Sequence, residues 1–116
     1  MDEFSRICGM CFDEMSIDSK YTIDPKYQCI VSSSKAQVVM IRGIFKHWKQ
    51  PIFYKFNTSM TKELLVEIIR AVEMSGFKVY TMTCDLGCEN RSLLKELEIS
   101  TEKCCFKNPT DATRNI

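Results

Sequence analysis

Asp13 and Glu14 are a carboxylate pair set into an otherwise apolar run, Ile7 to Ile17 (I-C-G-M-C-F-D-E-M-S-I). An ionised carboxylate inside such a run is costly to desolvate, and a metal ion is the usual compensation. Side chains alternate along a strand, so Asp13 shares a face with Cys11 and Met15, and Glu14 points the other way with Phe12. Only one of the two can face a given site. Asp13 is the choice, because a second carboxylate, Asp85, ends another strand-like run, Phe77 to Cys84 (F-K-V-Y-T-M-T-C). Two carboxylates brought together raise each other's proton affinity unless a divalent cation sits between them. Oxygen ligands suit Mg²⁺ or Mn²⁺, and two such ions can clamp the attacking and leaving oxygens of a phosphodiester. The plainer alternative is that Asp85 opens a strand-to-helix turn and Asp13 sits near a strand end in water.

Two other groups bear chemistry. Cys8-Gly9-Met10-Cys11 has the spacing of a zinc knuckle or a redox pair, and Cys84 with Cys88, or Cys104 with Cys105, could complete a zinc site. On an extended strand, however, positions i and i+3 point to opposite faces and cannot chelate one ion. A redox pair should open a helix, and Phe12 to Ile17 has no helical period. Buried free thiols are the default. The second group is Arg42, Lys46, His47, Trp48 and Lys49, which mixes cations with an aromatic ring and could track a phosphate backbone. The competing reading is a solvated turn whose Trp48 folds back on the sheet, with His47 a surface residue.

The elements that must position these residues follow from periodicity. Ile7 to Ile17 reads as a strand buried on both faces. Asp24-Pro25 marks a turn, Tyr27 to Val31 reads as a short strand, and Ser32 to Lys35 as a loop. Gln37 to Phe45 is a second strong strand. Lys46 to Pro51 turns the chain into a third, Ile52 to Phe56, so these two form an antiparallel hairpin. Ser59 caps a helix from Met60 to about Ser75, with Leu64, Leu65, Ile68, Ile69 and Val72 on one face. Gly76 stops that helix, and the strand ending on Asp85 follows. Asn90 caps a short second helix with Leu93, Leu94 and Leu97 inward.

At 116 residues the chain is read as one domain, with a core over about 7–99 and an irregular tail over 100–116 that provides no closing element. Sixteen basic against fifteen acidic residues give no global footprint for nucleic acid. No apolar run reaches the roughly 18 residues of a membrane span. The acidic start is not a signal peptide, and seven cysteines without such a signal are expected to be reduced thiols in an intracellular protein.

A three-stranded antiparallel meander, a crossover helix and a parallel fourth strand make the first half of an RNase H-like α/β fold. In that topology the fourth strand lies beside the first, and Asp13 and Asp85 meet at the carboxyl edge. The phrases F-D-E-M-S-I (Phe12 to Ile17), R-G-I-F-K-H-W-K-Q-P-I-F-Y-K-F (Arg42 to Phe56) and C-D-L-G-C-E-N-R-S-L-L-K-E-L (Cys84 to Leu97) occur in the right order. Together they resemble the RNase H-like domain of P-element-type DNA transposases, including the THAP-domain transposase relatives of vertebrates. The resemblance runs from Ile7 to about Ile99.

That resemblance implies DNA cleavage and strand transfer by an acidic triad on Mg²⁺ or Mn²⁺, with DNA as partner and the nucleus as location. Asp13 matches the first acid, and Asp85, in its D-x-G-x-x-N setting, matches the second. The third lies far downstream in the family, and Asp111 does not match it. The expectation is a truncated or domesticated domain, inactive alone, whose fourth strand leaves an open edge beside Val79 and Met82 for a protein partner. A non-catalytic interaction module and a zinc-binding module are the alternatives.

Overall fold

The computed structural model describes the backbone of residues 2–24, 26 and 29–116, and the side chains of residues 2–16, 26 and 35–116. The elements run β1 (Ile7–Asp24), β2 (Cys29–Gly43), β3 (Lys49–Phe56), α1 (Lys62–Met74), β4 (Lys78–Thr83) and α2 (Cys88–Glu96), after one 3₁₀ turn at Phe4–Arg6. Tyr27, the expected start of a short strand, and Pro25 of the Asp-Pro turn lie outside the described residues.

The four strands form one mixed sheet in the order β3-β2-β1-β4. β1 pairs antiparallel with β2, from Cys8↔Gly43 through Asp13↔Val38 to Asp24↔Cys29, with one irregularity between Ser16 and Lys20. It pairs parallel with β4, from Ile7↔Lys78 to Cys11↔Thr83, with Tyr80 as an extra residue where the register shifts. The meander, the crossover helix and the parallel fourth strand beside the first are therefore all present.

The strands are longer than the sequence implies. β1 continues seven residues past Ile17, and the residues read as a short strand and a loop, from Cys29 to Lys35, belong to one continuous β2. The polar composition of Asp18–Lys20 and Ser32–Ser34 hid this, because pairing with a neighbour overrides local propensity. β3 begins at Lys49 rather than Ile52, so the hairpin turn is shorter than expected and Pro51 lies inside the strand. Pro51 sits opposite Met40 at a register shift on an edge strand, where a missing N–H is tolerated.

Alternation along β1 turns Cys8, Met10 and Phe12 into the core, with Val39 and Ile41 of β2 and Val79 of β4 beside them. α1 lays Leu65, Ile68, Ile69 and Val72 onto this face, with Leu64 at its margin. Its cap is Thr61, whose Oγ1 accepts the Leu64 N–H at 3.2 Å, rather than Ser59. Its end is a Schellman motif, with Phe77 N–H to the Val72 carbonyl and Gly76 N–H to that of Glu73. Gly76 adopts φ +97, as the motif requires. In α2 it is Leu93 and Leu97 that are buried, and Leu94 is half-buried.

Residues 100–116 hold no helix or strand, yet they close over the core. Phe106 and Ile116 are buried and exchange two backbone hydrogen bonds, at 3.0 and 2.8 Å. Behind them Glu73 accepts from Arg114 Nη2 at 2.7 Å, Asn108 Nδ2 at 2.6 Å and the Val79 N–H at 3.0 Å. The Arg114 guanidinium also lies 5.2 Å from the centre of the Tyr80 ring. β4 is an edge strand of the sheet, as expected, but Val79 is fully buried, Met82 packs on the core, and Glu73 accepts the Val79 N–H.

Replacing Ile68, 7% exposed, by Ala should cost about 2–5 kcal/mol in a denaturation experiment, and a loss below about 1 kcal/mol would show that α1 is not packed this way. Burial raises the Glu73 carboxyl, but hydrogen bonds from Arg114, Val79 and Asn108 outweigh it and hold the group below its usual range. The Thr113 hydroxyl and N–H, with Arg114, hold Asp111 at about 2. Both depressed groups stabilise the tail fully above the ordinary carboxylate range of about 4. That contribution is lost as pH falls through the folded values. The amide resonances of Phe106 and Ile116 should therefore shift between about pH 4 and about pH 2. Resonances that stay fixed across this window would show that the carboxylates do not hold the tail.

Candidate metal centre

Asp13 follows the last β1 residue that pairs with β4 by two positions, and Asp85 follows that residue's partner by two. The parallel register Cys11↔Thr83 therefore places both aspartates at the carboxyl edge of the parallel pair, Asp85 past the end of β4 and Asp13 within β1, where it still pairs with Val38. Open α/β sheets place their ligand sites at such an edge. Both side chains are exposed, as a site for a hydrated ion requires.

Each carboxylate is anchored through one oxygen. Asp13 Oδ1 accepts the Glu14 N–H at 2.9 Å. Asp85 Oδ1 accepts the Gly87 N–H at 3.1 Å and the Asn90 amide at 2.8 Å, and the same Asn90 nitrogen reaches the Asp85 carbonyl at 3.2 Å. No described residue hydrogen-bonds Oδ2 of either aspartate. Asn90 is thus a clamp on Asp85 and not the cap of α2; that position falls to Gly87, with no side-chain cap. The spacing D-x-G-x-x-N, visible in the sequence, is the signal for this clamp.

Hard carboxylate oxygens fit Mg²⁺ or Mn²⁺, which keep several waters and use few protein ligands. Among the described residues no group of three His, Cys, Asp or Glu side chains gathers to hold a metal. Glu14, on the other face, is instead in an ion pair with Lys35 at 3.2 Å.

The cysteines occupy separate places. Cys8 is buried in the core and Cys11 is half-buried on the opposite face of β1, as the alternation requires. Burial, helped by the charge of Glu73, pushes the Cys8 thiol up to about 11. Burial also raises Cys84, with Asp85 adding to the effect. The described cysteines are free thiols.

On the hairpin, Arg42, Lys46, His47 and Lys49 are exposed. Trp48 is half-buried, with its ring centre 5.3 Å from that of Phe77 and its indole N–H donated to the Ser5 carbonyl at 2.9 Å. It is folded back on the sheet. The interaction that sequence reasoning missed is the set Glu73, Asn108 and Arg114. Its members lie up to 41 positions apart, and no local pattern announces them.

A four-stranded sheet with β1 between β2 and β4, and two acids at the edge of the parallel pair, defines an RNase H-like half-domain. The sequence matches the family described as TNP-like, RNase H N-terminal domain over residues 1–98, and the chain belongs to that family. It is 35% identical over 112 residues to the Transposable element P transposase of Drosophila melanogaster. That match covers 96% of this chain and 15% of the relative. The fold is similar to a solved chain of the Drosophila P element transposase strand transfer complex, with TM-score 0.89 and 34% identity. It covers 100% of this chain and 26% of that one. No helix is long and apolar enough among the described residues to cross a membrane.

Titrating Mn²⁺ into the protein should broaden the NMR signals of Asp13 and Asp85 first. Asn90→Ala, which releases the second carboxylate, should weaken this by roughly 10-fold or more, the usual effect of losing a supporting hydrogen bond. Broadening centred elsewhere would remove the assignment.

Proposed function

We propose that this chain supplies the front half of a metal-dependent DNA-cleaving and strand-transfer domain of the P-element transposase type. Asp13 and Asp85 would hold Mg²⁺ or Mn²⁺, and the observation that carries the reading is the parallel β1–β4 register, which brings both acids to one edge, each with an oxygen that no described residue hydrogen-bonds. The metal, when bound, would polarise a phosphodiester and supply an activated water. The protein's own part is to fix the two carboxylates: Gly87 and Asn90 orient Asp85, and the β1 backbone orients Asp13. DNA is the substrate class, a nuclear location goes with it, and kinship extends to the THAP-domain transposase relatives. The 116 residues are read as a single domain, with the core over about 7–99 and the remainder as its packed tail.

Catalysis of this kind needs two ions in fixed geometry with the attacking and leaving oxygens in line. Two aspartates can share one ion, and the second calls for a third acid that the described residues do not bring to this edge. The chain alone is therefore proposed to be without catalysis, as a truncated or domesticated domain would be. A second reading, a protein-interaction module, rests on the cleft of about 510 Å³ between β4 and the tail, lined by Tyr80, Met82 and Phe106.

A strand-nicking assay with Mg²⁺ or Mn²⁺ tests the main reading, run beside the double variant Asp13→Ala, Asp85→Ala. No cleavage is expected from either. Cleavage by the wild-type chain that the double variant loses would refute the inactive-alone reading while supporting the metal pair. Cleavage that both proteins show would refute the role of the pair.

A further inference from the structure

The β2–β3 hairpin builds a cleft of about 530 Å³ that the metal-pair reading does not use. Arg42, Lys46, His47 and Lys49 line it, with Cys11 and Met40 forming its floor, and no carboxylate is among the lining residues. Elsewhere in the described structure, Lys35, Lys78, Lys103 and Arg114 are each in an ion pair. Arg42, Lys46 and Lys49 are in none among the described residues. The carboxylate that feels Lys46 is Asp2, and it is engaged by the Ser5 N–H and hydroxyl, at 2.8 Å each.

The cleft is held in shape before any ligand arrives. Gly43 donates its N–H to the Trp48 carbonyl at 2.9 Å, and Ile44 donates to the Ile7 carbonyl at 3.1 Å. A Cβ on Gly43 would collide with the Lys46 carbonyl and lie 2.6 Å from the Trp48 indole nitrogen, so the turn closes only around a glycine. Trp48 in turn is fixed between Ser5 and Phe77. Three cations are thus carried on a hairpin whose backbone is already ordered, Arg42 on β2, Lys46 on the turn and Lys49 on β3, so a ligand need not supply that cost.

Its position relates it to the two aspartates. Gly9 pairs with Arg42, Cys11 with Met40 and Asp13 with Val38. These alternate positions lie on the sheet face turned away from α1, since Met10, Phe12, Val39 and Ile41 take the other. Arg42 and Asp13 therefore share a face, four residues apart along the ladder. At about 3.3 Å per residue that is roughly 13 Å, or about four nucleotides at 3.4 Å per nucleotide of a duplex strand.

We propose that the cleft lined by Arg42, Lys46 and Lys49 is a backbone-phosphate site for DNA, set about four nucleotides along the strand from Asp13 and Asp85. It rests on the reading that this chain handles DNA. Contact is with phosphate and carries no base preference, because Trp48 is committed to the fold and cannot leave it to stack.

The test is fluorescence anisotropy of the full chain with a short labelled DNA duplex over a range of salt, without metal. The variant Arg42→Gln, Lys46→Gln, Lys49→Gln should bind roughly 60-fold more weakly at 0.1 M salt if two phosphate contacts are lost, with the salt slope reduced by about 2. Lys95→Gln, on α2, should change neither. Lys46→Gln alone should lower the slope by about 1, and an amide spectrum matching that of the wild type excludes misfolding as the cause. Equal binding and slope in wild type and triple variant would overturn the proposal, as would tighter binding of an RNA duplex than of DNA. The Mn²⁺ titration of Asp13 and Asp85 is read separately, so loss of the phosphate site and failure of the metal pair give different results.

Discussion

Parallel strands cannot be joined by a tight turn, so the pairing of β1 with β4 obliges the segment between β3 and β4 to cross the sheet and bury something on the way. What it buries is the α1 face of Leu65, Ile68, Ile69 and Val72, each contributing about 1.5–3 kcal/mol on leaving water. This burial holds β4 in place, and the position of β4 decides whether Asp85 stands beside Asp13. The site is thus a consequence of hydrophobic packing on the opposite face of the same strands. Both aspartates sit in solvent, while the energy that positions them is stored in the core.

The same pairing leaves β4 with one unpartnered side, and the tail answers this in an unusual currency. Phe106 and Ile116 supply apolar cover, but the tie is ionic: Glu73, nearly buried, holds Arg114, Asn108 and the Val79 N–H together. Desolvating such a pair consumes much of its Coulombic gain, so its value lies in geometry. An uncompensated Glu73 at the end of α1 would penalise every arrangement of the tail except the one that brings Arg114 to it.

Much of this was legible in the sequence, and for stated physical reasons. The apolar face of α1 follows from its 3.6-residue spacing, Gly76 from its C-terminal position, and the sides taken by Cys8, Cys11 and Asp13 from the period of two along β1. Family resemblance then joined Asp13 to Asp85, which periodicity alone left open. What escaped were features created by distant partners. Strand lengths depended on neighbours that carry polar stretches into the sheet, as at Ser32 to Lys35. The cap of α1 fell to Thr61 over Ser59 because the choice turns on backbone angles at the entry to the helix. Asn90, a good cap by type, was drawn to Asp85 instead. The tail looked irregular because its order comes from Glu73, with no repeat or period of its own to reveal it.

Trp48 is the only tryptophan in the chain. Its indole is touched by the residues that precede β1, through Ser5, and by the link between α1 and β4, through Phe77. Its own backbone closes the turn at Gly43. Three separate stretches of chain thus converge on one chromophore. Light absorbed at the red edge of the indole band therefore reports, without any label, on whether the amino-terminal end of the sheet is assembled, and emission from this ring is a local gauge of that junction alone.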